Sequence, residues 1–187
     1  MNRTQHGVLL IELVVVISLS AIFLLAAMHQ ATAWRQVVQA RQWIAQYQVG
    51  LAQLRARAVR EGRSWTLCAS RDGWQCETPW RGDWLAFADL NQDGQHQPGE
   101  PTTLFLPAIP GGWQVTWKPF RAVPWLQWQG NGDAATSNGT LTLCPPTAQD
   151  AALRQLVLSK SGRLRLVQPL QAGASTLQSA RVACGWP

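Results

Sequence analysis

Three basic side chains lie close together near the end of the sequence, in the segment Lys160-Ser161-Gly162-Arg163-Leu164-Arg165. The segment falls between two short apolar runs, and its serine and glycine are turn residues, so we predict the tip of a β-hairpin. Because side chains alternate along a strand, Arg163 and Arg165 should share one face about 7 Å apart, with Lys160 at the tip. Such an array can bind successive phosphates of a polynucleotide. From spacing alone, two solvated arginines on an edge hairpin are the simpler interpretation.

The overall charge agrees with either interpretation of this basic segment. The chain carries 16 basic and 10 acidic residues, a formal net charge of +6. This excess suits an anionic partner, either nucleic acid or a membrane surface, and it also serves solubility. Arg154 and Arg181 are candidate extensions of the basic patch, although the sequence alone does not place them in space.

A second candidate site is the segment Asp89–Glu100, which matches the calcium-loop pattern D-x-[DN]-x-[DN]-G-x5-E. Oxygen donors at alternate positions, a turn glycine and a distal glutamate are what Ca²⁺ requires. The candidate ligands are Asp89, Asn91, Asp93, Gln95 and Glu100. Against calcium, the flanking residues are typical of strands rather than helices, and Pro98 stiffens the second half. The alternative is a polar hairpin loop whose Asp, Asn and Gly residues form turns. We predict no other cofactor and no other metal.

Four cysteines, Cys68, Cys76, Cys144 and Cys184, permit three disulfide pairings. The first two flank a short stretch with the turn signal Arg71-Asp72-Gly73, which favours Cys68–Cys76 and, by elimination, Cys144–Cys184. Four free thiols or a zinc site are less favoured, because there is no CxxC pair and the three histidines are scattered. Disulfides would place this part of the chain in an oxidising compartment such as the periplasm.

Residues for catalysis are sparse in this sequence. His6, His29 and His96 are far apart, and no nucleophile stands in a motif such as G-x-S-x-G. With no candidate base, we predict that the protein is not an enzyme.

The N-terminal region has the composition of a membrane segment. The run from Val8 to Met28 holds one formal charge, Glu12, and has the length that crosses a bilayer as a helix. A secretory signal peptide cleaved near Ala26 and a plain membrane anchor oriented by Arg3 are the usual interpretations of such a run. Glu12 argues against both, because a carboxylate in an apolar span costs about 2.5–3.5 kcal/mol and therefore indicates a functional site.

The apolar run continues as an amphipathic helix rather than ending in a turn. One stripe recurs at steps of three and four residues, formed by Val37, Ala40, Ile44, Tyr47, Leu51, Leu54 and Ala58. We therefore predict one long helix from Val8 to Glu61, with a transmembrane half at residues 8–29 and an amphipathic half at residues 30–62. Gly50 could kink it, and two separate helices are the alternative.

Residues 63–187 are predicted to form a β-rich head. Seven short runs bounded by Gly, Pro, Asn and Asp are typical of strands, at residues 64–68, 83–87, 102–106, 113–117, 140–143, 155–158 and 163–167. Short strands separated by turns favour antiparallel sheets, here two, and thus an α+β fold. Trp125 and Trp128 are expected to be exposed, and residues 172–176 are expected to form a flexible loop.

The N-terminus resembles the class III leader of type IV pilins and type II secretion pseudopilins. In that family a glycine precedes the cleaved bond and a glutamate is the fifth residue of the mature chain, as Gly7 and Glu12 stand here. The resemblance implies that residues 1–7 are a leader, that a prepilin peptidase cuts the Gly7–Val8 bond, and that Val8 is then methylated. Phenylalanine is usual where this chain has Val8. Glu12 would pair with the N-terminal ammonium of a neighbouring subunit, since a buried charge needs a partner.

The rest of the chain is similar to the FimT/GspH family of minor pilins and pseudopilins. The likeness rests on residues 54–62 followed by Trp65-Thr66-Leu67-Cys68, on Asp83-Trp84-Leu85-Ala86-Phe87, and on Ser161-Gly162-Arg163-Leu164-Arg165. It implies a pilin-like fold, a long helix packed on a head of two sheets. The last segment resembles the glycine-arginine-x-arginine element of FimT-like minor pilins, which are linked to DNA uptake in natural transformation.

We therefore expect a minor type IV pilin that binds DNA non-specifically through its basic hairpin. The alternative is a GspH-like minor pseudopilin with a structural role at the tip of a type II secretion system. In both cases the chain would sit in the inner membrane of a Gram-negative bacterium with its head in the periplasm. It would then join a filament with other pilins.

Overall fold

The computed structural model describes residues 5–78, 80, 83–106, 109–121, 123–134 and 137–187. Residues 1–4 of the predicted leader lie outside the described residues, as do the side chains of residues 5–9 and 25–29, including those of Gly7 and Val8. The chain divides into two compact units, Met1–Gln36 and Val37–Pro187. The first belongs to the N-terminal helix, and the second contains the rest of that helix and the head.

The predicted long helix is present as α1, which runs from Gln5 to Glu61. In the first unit, the described side chains of residues 10–24 are exposed, Glu12 among them. Among the described residues, no helix has a stretch both long enough and apolar enough to cross a membrane. The predicted span is residues 8–29, and the side chains of residues 8–9 and 25–29 are outside the described ones. The membrane anchor therefore stays a prediction.

In the second unit, the predicted amphipathic stripe of α1 is buried. Six of its side chains are at most 2% exposed: Ala40, Ile44, Tyr47, Leu51, Leu54 and Ala58. The helix passes through Gly50 and ends in a left-handed glycine, Gly62, at φ 64°. There the Arg63 N–H donates to the Ala58 carbonyl and the Gly62 N–H to the Val59 carbonyl, both at 3.3 Å. This is the hydrogen-bond pattern of a Schellman C-cap.

The junction between α1 and the head is held by Glu61. Its carboxylate accepts hydrogen bonds from Arg57 at 2.8 Å, from Arg63 at 2.9 Å and from the Trp65 indole at 3.1 Å. The hydrogen bond from Arg57 is the largest cause that lowers the pKa of Glu61. The Arg57 guanidinium also lies 4.1 Å from the centre of the Trp65 ring. The last turn of α1 thus orients the chain entering the first strand.

The described residues of the head contain eight strands in two antiparallel sheets. They are β1 (Trp65–Ser70), β2 (Asp83–Ala88), β3 (Thr102–Leu106), β4 (Gln114–Pro119), β5 (Leu126–Trp128), β6 (Gly139–Cys144), β7 (Arg154–Leu158) and β8 (Leu164–Val167). The first sheet, sheet A, has the order β3-β2-β1-β5, and the second, sheet B, the order β4-β6-β7-β8. The predicted α+β fold and the seven predicted strands are confirmed.

Three expectations for the head were wrong. A short strand, β5, lies where the sequence showed no strand pattern, and its Trp128 is fully buried rather than exposed. Trp125 is half-buried against a small cluster formed by Cys68, Leu85 and Phe87. Residues 172–176 are not a loop, because they contain the end of α2 (Pro169–Ala172) and the start of α3 (Ala174–Ala183).

The main core lies where the α1 stripe meets both sheets. It contains Trp65, Leu67 and Trp84 from sheet A and Leu141 and Leu156 from sheet B. The opposite face of sheet B lies under α3, where Thr142, Gln155 and Ala180 are buried. The two faces of sheet B therefore differ, one apolar towards α1 and one polar towards α3.

Candidate functional site

The basic segment forms the predicted hairpin tip between β7 and β8. The Ser159 N–H donates to the Arg163 carbonyl at 3.0 Å, and the Gly162 N–H donates to the Ser159 carbonyl at 2.9 Å. Gly162 has φ 71°, a left-handed conformation that favours glycine. The strand register of β8 agrees with the predicted alternation, because Leu164 and Leu166 lie opposite the core residues Leu158 and Leu156, and Arg165 opposite Val157. Leu164 packs on the core, and Leu166 is 40% exposed.

Three consecutive backbone carbonyls pin this tip to the body of the head. The Lys160 carbonyl accepts from the Ala134 N–H at 2.8 Å, and the Ser161 carbonyl accepts from the Arg55 guanidinium at 3.1 Å. The Gly162 carbonyl accepts from the Trp128 indole at 3.1 Å. With the backbone turned inwards, the side chains of Lys160, Ser161 and Arg163 are exposed. The tip is therefore a fixed platform for its basic side chains rather than a free loop.

Gly162 is required for this docking as well as for the turn. A Cβ atom built on Gly162 would overlap the carbonyl oxygen of Gly132. That carbonyl is itself held by the Arg55 guanidinium, which donates to it at 3.0 Å. Arg55 thus joins α1, the Gly132 loop and the hairpin through two backbone carbonyls. The role of Gly162 is thus to let the hairpin backbone pack closely on the Gly132 carbonyl, whereas Arg163 and Arg165 are exposed to solvent.

The basic side chains of the tip have no acidic partner in the part of the chain that the structure describes. Among the described residues, Lys160, Arg163 and Arg165 take part in no salt bridge, and all three are exposed. Residues 109–187 hold seven basic and two acidic residues, which gives +5 of the total charge of +6. The two acids are Asp133 and Asp150, the second of which is paired. The positive charge is thus concentrated in the part of the chain that contains sheet B and this hairpin.

Arg154, a predicted extension of the patch, does not belong to it. Arg154 is only 3% exposed, and its guanidinium donates to the backbone carbonyls of Ala151 at 2.8 Å and Leu153 at 2.7 Å. Burial, followed by the positive charge of Arg41, lowers the pKa of Arg154. Its side chain is used to satisfy local carbonyls, so it cannot reach a ligand at the surface.

Arg181, the other predicted extension, is neutralised by Asp150. Its Nε donates to Asp150 Oδ1 at 2.8 Å, and a second bond joins the same two side chains. The hydrogen bond from Arg181 lowers the pKa of Asp150 below its ordinary value. A carboxylate with a lowered pKa stabilises the fold at neutral pH and loses this contribution only as pH falls through that pKa. Arg181 therefore anchors α3 instead of extending the patch.

One basic residue that sequence analysis missed lies on the same face of sheet B as Arg165. The strand register places Lys118 of β4 opposite Thr140, Thr140 opposite Val157, and Val157 opposite Arg165. The four side chains form one row across the sheet, and Lys118 is exposed. Strand alternation marks Lys118 as pointing away from the buried Val115, but only the order of the strands places it in line with Arg165.

The Asp89–Glu100 segment is a loop closed by its own hydrogen bonds. Asp89 is buried, and its Oδ2 accepts from Thr66 at 2.7 Å, from the Gly94 N–H at 2.9 Å and from Gln127 at 2.8 Å. Glu100 accepts from the backbone N–H groups of Leu90 and Gln97, both at 2.9 Å. The loop is thereby tied to β1 and β5.

Hydrogen bonds within the loop already occupy oxygen atoms of the predicted calcium ligands. The Asp93 carboxylate accepts from the Asn91 side chain, the Gln95 N–H and the Gln97 side chain, while Asn91 Oδ1 accepts from the Asp93 N–H. Asp89 Oδ1 is the one buried carboxylate oxygen found without a partner in the described part of the loop. Within the described residues, no three His, Cys, Asp or Glu side chains group as a metal site. The geometry favours the polar loop, and calcium binding stays a prediction.

The four cysteines pair as predicted. Cys68 bonds Cys76 with 5.4 Å between their Cα atoms, and Cys144 bonds Cys184 with 5.6 Å. The first bond closes the loop after β1, and the second ties the C-terminal end of α3 to the end of β6. Together with the Arg181–Asp150 pair, it holds α3 on the polar face of sheet B.

The fold and this site define a pilin-like α+β subunit: a long N-terminal helix, two antiparallel sheets and an exposed basic hairpin. The family model described as type II transport protein GspH matches residues 44–162. This match covers more than half of the chain, so the chain belongs to the GspH family. The predicted FimT/GspH membership is confirmed, and with it the class, a minor pilin or pseudopilin.

The solved structures that resemble this chain share little of its sequence. The type IV minor pilin FimU of Pseudomonas aeruginosa PAO1 is 21% identical, with a TM-score of 0.43 over 74% of this chain and 87% of that one. The minor pseudopilin EpsH of the type II secretion system of Vibrio cholerae is 15% identical, with a TM-score of 0.46 over 70% of this chain and 94% of that one. Likenesses this weak carry no argument. The comparison with curated proteins gave no match.

The docking of the hairpin tip can be tested at Gly162. We expect Gly162→Ala to lower the free energy of unfolding by about 1–3 kcal/mol, because it adds backbone strain and overlaps the Gly132 carbonyl. Gly73→Ala is the matched control, since Gly73 has nearly the same φ, 70°, and open space around it. Urea unfolding of the full chain in detergent measures both. Equal losses for the two variants would contradict the docking.

The role of Asp89 gives a second prediction. Asp89→Asn should lower the free energy of unfolding by about 2–3 kcal/mol, because it removes a charged acceptor from three buried hydrogen bonds. Asp133→Asn, on a half-exposed loop residue, should cost less than about 1 kcal/mol. The same urea titrations, repeated with calcium and with EDTA, test the calcium prediction. If Asp89→Asn lowers the free energy of unfolding no more than Asp133→Asn, the loop does not depend on the hydrogen bonds of Asp89.

Proposed function

We propose that this protein is a FimT-like minor pilin that joins a type IV pilus and binds DNA non-specifically through Lys160, Arg163 and Arg165. Retraction of the pilus would draw the bound DNA towards the cell during natural transformation. The observation that carries the proposal is the set of three exposed cations, unpaired among the described residues, on a hairpin whose backbone is fixed by three carbonyl contacts.

The binding mechanism is phosphate neutralisation. The two guanidinium groups and the ammonium group replace counterions on the DNA backbone, which gives an affinity that falls steeply with salt and ignores sequence. Arg163 directly precedes β8 and Arg165 lies within it, so alternation along an extended chain would place both on one side, where they can contact neighbouring phosphates of one DNA strand. The fixed backbone of the tip lowers the entropy lost on binding, since only the side chains must be ordered.

Membrane insertion and assembly depend on the N-terminal segment in this proposal. Prepilin peptidase removes residues 1–7, the new N-terminus at Val8 is methylated, and residues 8–29 anchor the subunit in the inner membrane with the head in the periplasm. In the filament, Glu12 pairs with the N-terminal ammonium of a neighbouring subunit, because an unpaired carboxylate among packed apolar helices is costly.

DNA binding is tested by replacing all three cations with alanine. Lys160→Ala/Arg163→Ala/Arg165→Ala should abolish most binding of the full chain, held in detergent, to a labelled DNA duplex at low salt. Where residual binding is measurable, the slope of log affinity against log salt should fall by about 2–3, close to one unit per lost phosphate contact. Fluorescence anisotropy across a salt series measures both quantities.

The control for this experiment removes the same charge elsewhere. Arg41, Arg60 and Arg71 are exposed residues outside the hairpin, and their triple alanine variant also loses three positive charges. It should keep the affinity within a few-fold of the unchanged chain. If the unchanged chain does not bind the duplex at low salt, or if both triple variants bind equally, the DNA proposal fails.

Processing and assembly give a separate prediction. Gly7→Val should block cleavage, so that the chain keeps its seven leader residues when co-produced with a prepilin peptidase. Glu12→Ala should be cleaved normally and yet fail to enter filaments, because it lacks the partner for the N-terminal ammonium. Intact mass spectrometry and sheared-filament preparations provide the measurements. Normal filament entry by Glu12→Ala would contradict the proposed pairing.

A second candidate function is that of a minor pseudopilin in a type II secretion system. The observation that favours it is the family model itself, whose description is type II transport protein GspH. In that role the head would contact partner pseudopilins or secreted proteins, and the basic hairpin would be a protein-facing surface. Deletion of the gene separates the two candidates, because a secretion defect with normal DNA uptake indicates the pseudopilin.

A further inference from the structure

A groove crosses the polar face of sheet B beside α3. Its floor consists of Thr140, Gln155 and Val157, and Ser179 of α3 forms part of its wall. These four residues line both of its two adjoining sections, which have volumes of about 340 and 520 Å³. The hydroxyl and amide groups make this surface polar, unlike the apolar face of the same sheet.

The groove has a cation at each end. Arg165 lines the section nearer the hairpin, and Lys118 lines the section at β4. The strand register sets them in one row, three inter-strand spacings or about 14 Å apart. Both side chains are exposed, and among the described residues neither takes part in a salt bridge. The groove therefore continues the basic surface of the hairpin across the sheet.

An exposed aromatic ring stands at the Lys118 end. Phe120 follows β4 directly, lines the same section of the groove, and is 76% exposed. The next residue, Arg121, is also exposed. Because most of its surface is exposed, the phenyl ring contributes little to the packing of the head, whose core buries Trp65, Trp84 and Trp128. A phenyl ring beside cations is the arrangement on which proteins stack the bases of single-stranded nucleic acid.

We propose that this groove binds single-stranded DNA, with a base stacked on Phe120 and the backbone running between Lys118 and Arg165. The proposal rests on the DNA-binding function proposed above and extends its contact surface from Arg165, which both sites share, to Lys118 and Phe120. The bases of a duplex are already stacked inside the helix, so a duplex meets only the cations. An unpaired strand also offers its base faces to the ring and its backbone to the hydroxyl groups of Thr140 and Ser179. Charge complementarity favours this polyanion over a neutral or basic peptide.

The test compares a single-stranded thymidine oligonucleotide with a duplex of equal length. Phe120→Ala in the full chain should weaken single-strand binding by about fivefold to a hundredfold, the effect of losing one stacked base. Duplex binding should change less than twofold, because the hairpin is untouched. Phe120→Trp should keep the single-strand affinity. Fluorescence anisotropy at several salt concentrations measures all these affinities.

Two further variants complete the experiment. Lys118→Ala should lower the salt slope for the single strand by about 0.7, the value for one phosphate contact. Trp74→Ala is the matched aromatic control, since Trp74 is 48% exposed and contacts His96 instead of this groove. It should leave single-strand binding unchanged.

The outcomes separate the two proposals. If the hairpin triple variant loses duplex binding while Phe120→Ala keeps its single-strand affinity, the groove proposal is wrong and the hairpin function stands. Equal weakening of both DNA forms by Phe120→Ala also overturns the groove. If the unchanged chain binds neither DNA form at low salt, both proposals fail together.

Discussion

The apolar stripe of α1 is the surface on which the head is built. Each sheet has four short strands and could not bury a face of its own without a partner layer. Trp65 and Trp84 of sheet A and Leu141 and Leu156 of sheet B share one core with that stripe. The helix also carries Arg55, which bonds the carbonyls of Gly132 and Ser161. The surface that organises the core thus also positions the basic hairpin.

Four arginines of the protein differ in whether their guanidinium group is bonded within the protein or exposed to solvent. Arg154 is buried and bonded to carbonyls, and Arg181 is paired with Asp150. Arg55 serves as a bridge between backbone segments, so its guanidinium is already occupied. Arg163 alone of the four projects into solvent, from a turn whose carbonyls face inwards. A guanidinium that already donates to carbonyls or to a carboxylate has fewer N–H groups left for a ligand.

Much of the fold could be predicted, because its signals are local. The stripe of α1, the seven predicted strands and the disulfide pairing follow from periodicity, turn residues and spacing. Strand β5 could not be predicted, since a strand of three residues that begins two positions after Pro124 carries too little pattern. Helix α3 was missed because Leu177 and Val182 are its only large apolar residues and form no helical stripe, and because its position depends on the Cys144–Cys184 bond and the Arg181–Asp150 pair. Both elements depend on partners distant in sequence.

For the candidate site, the sequence by itself determined the hairpin and its chemistry. Turn residues at Ser159 to Gly162 are a short-range signal, so the hairpin tip and the basic residues that it carries could be predicted from them. The tertiary structure decided which basic residues join them. It buried Arg154, paired Arg181, and set Lys118 in line with Arg165 through the order of four strands. Exposure and alignment depend on contacts between segments far apart in the chain, and no local pattern encodes these contacts.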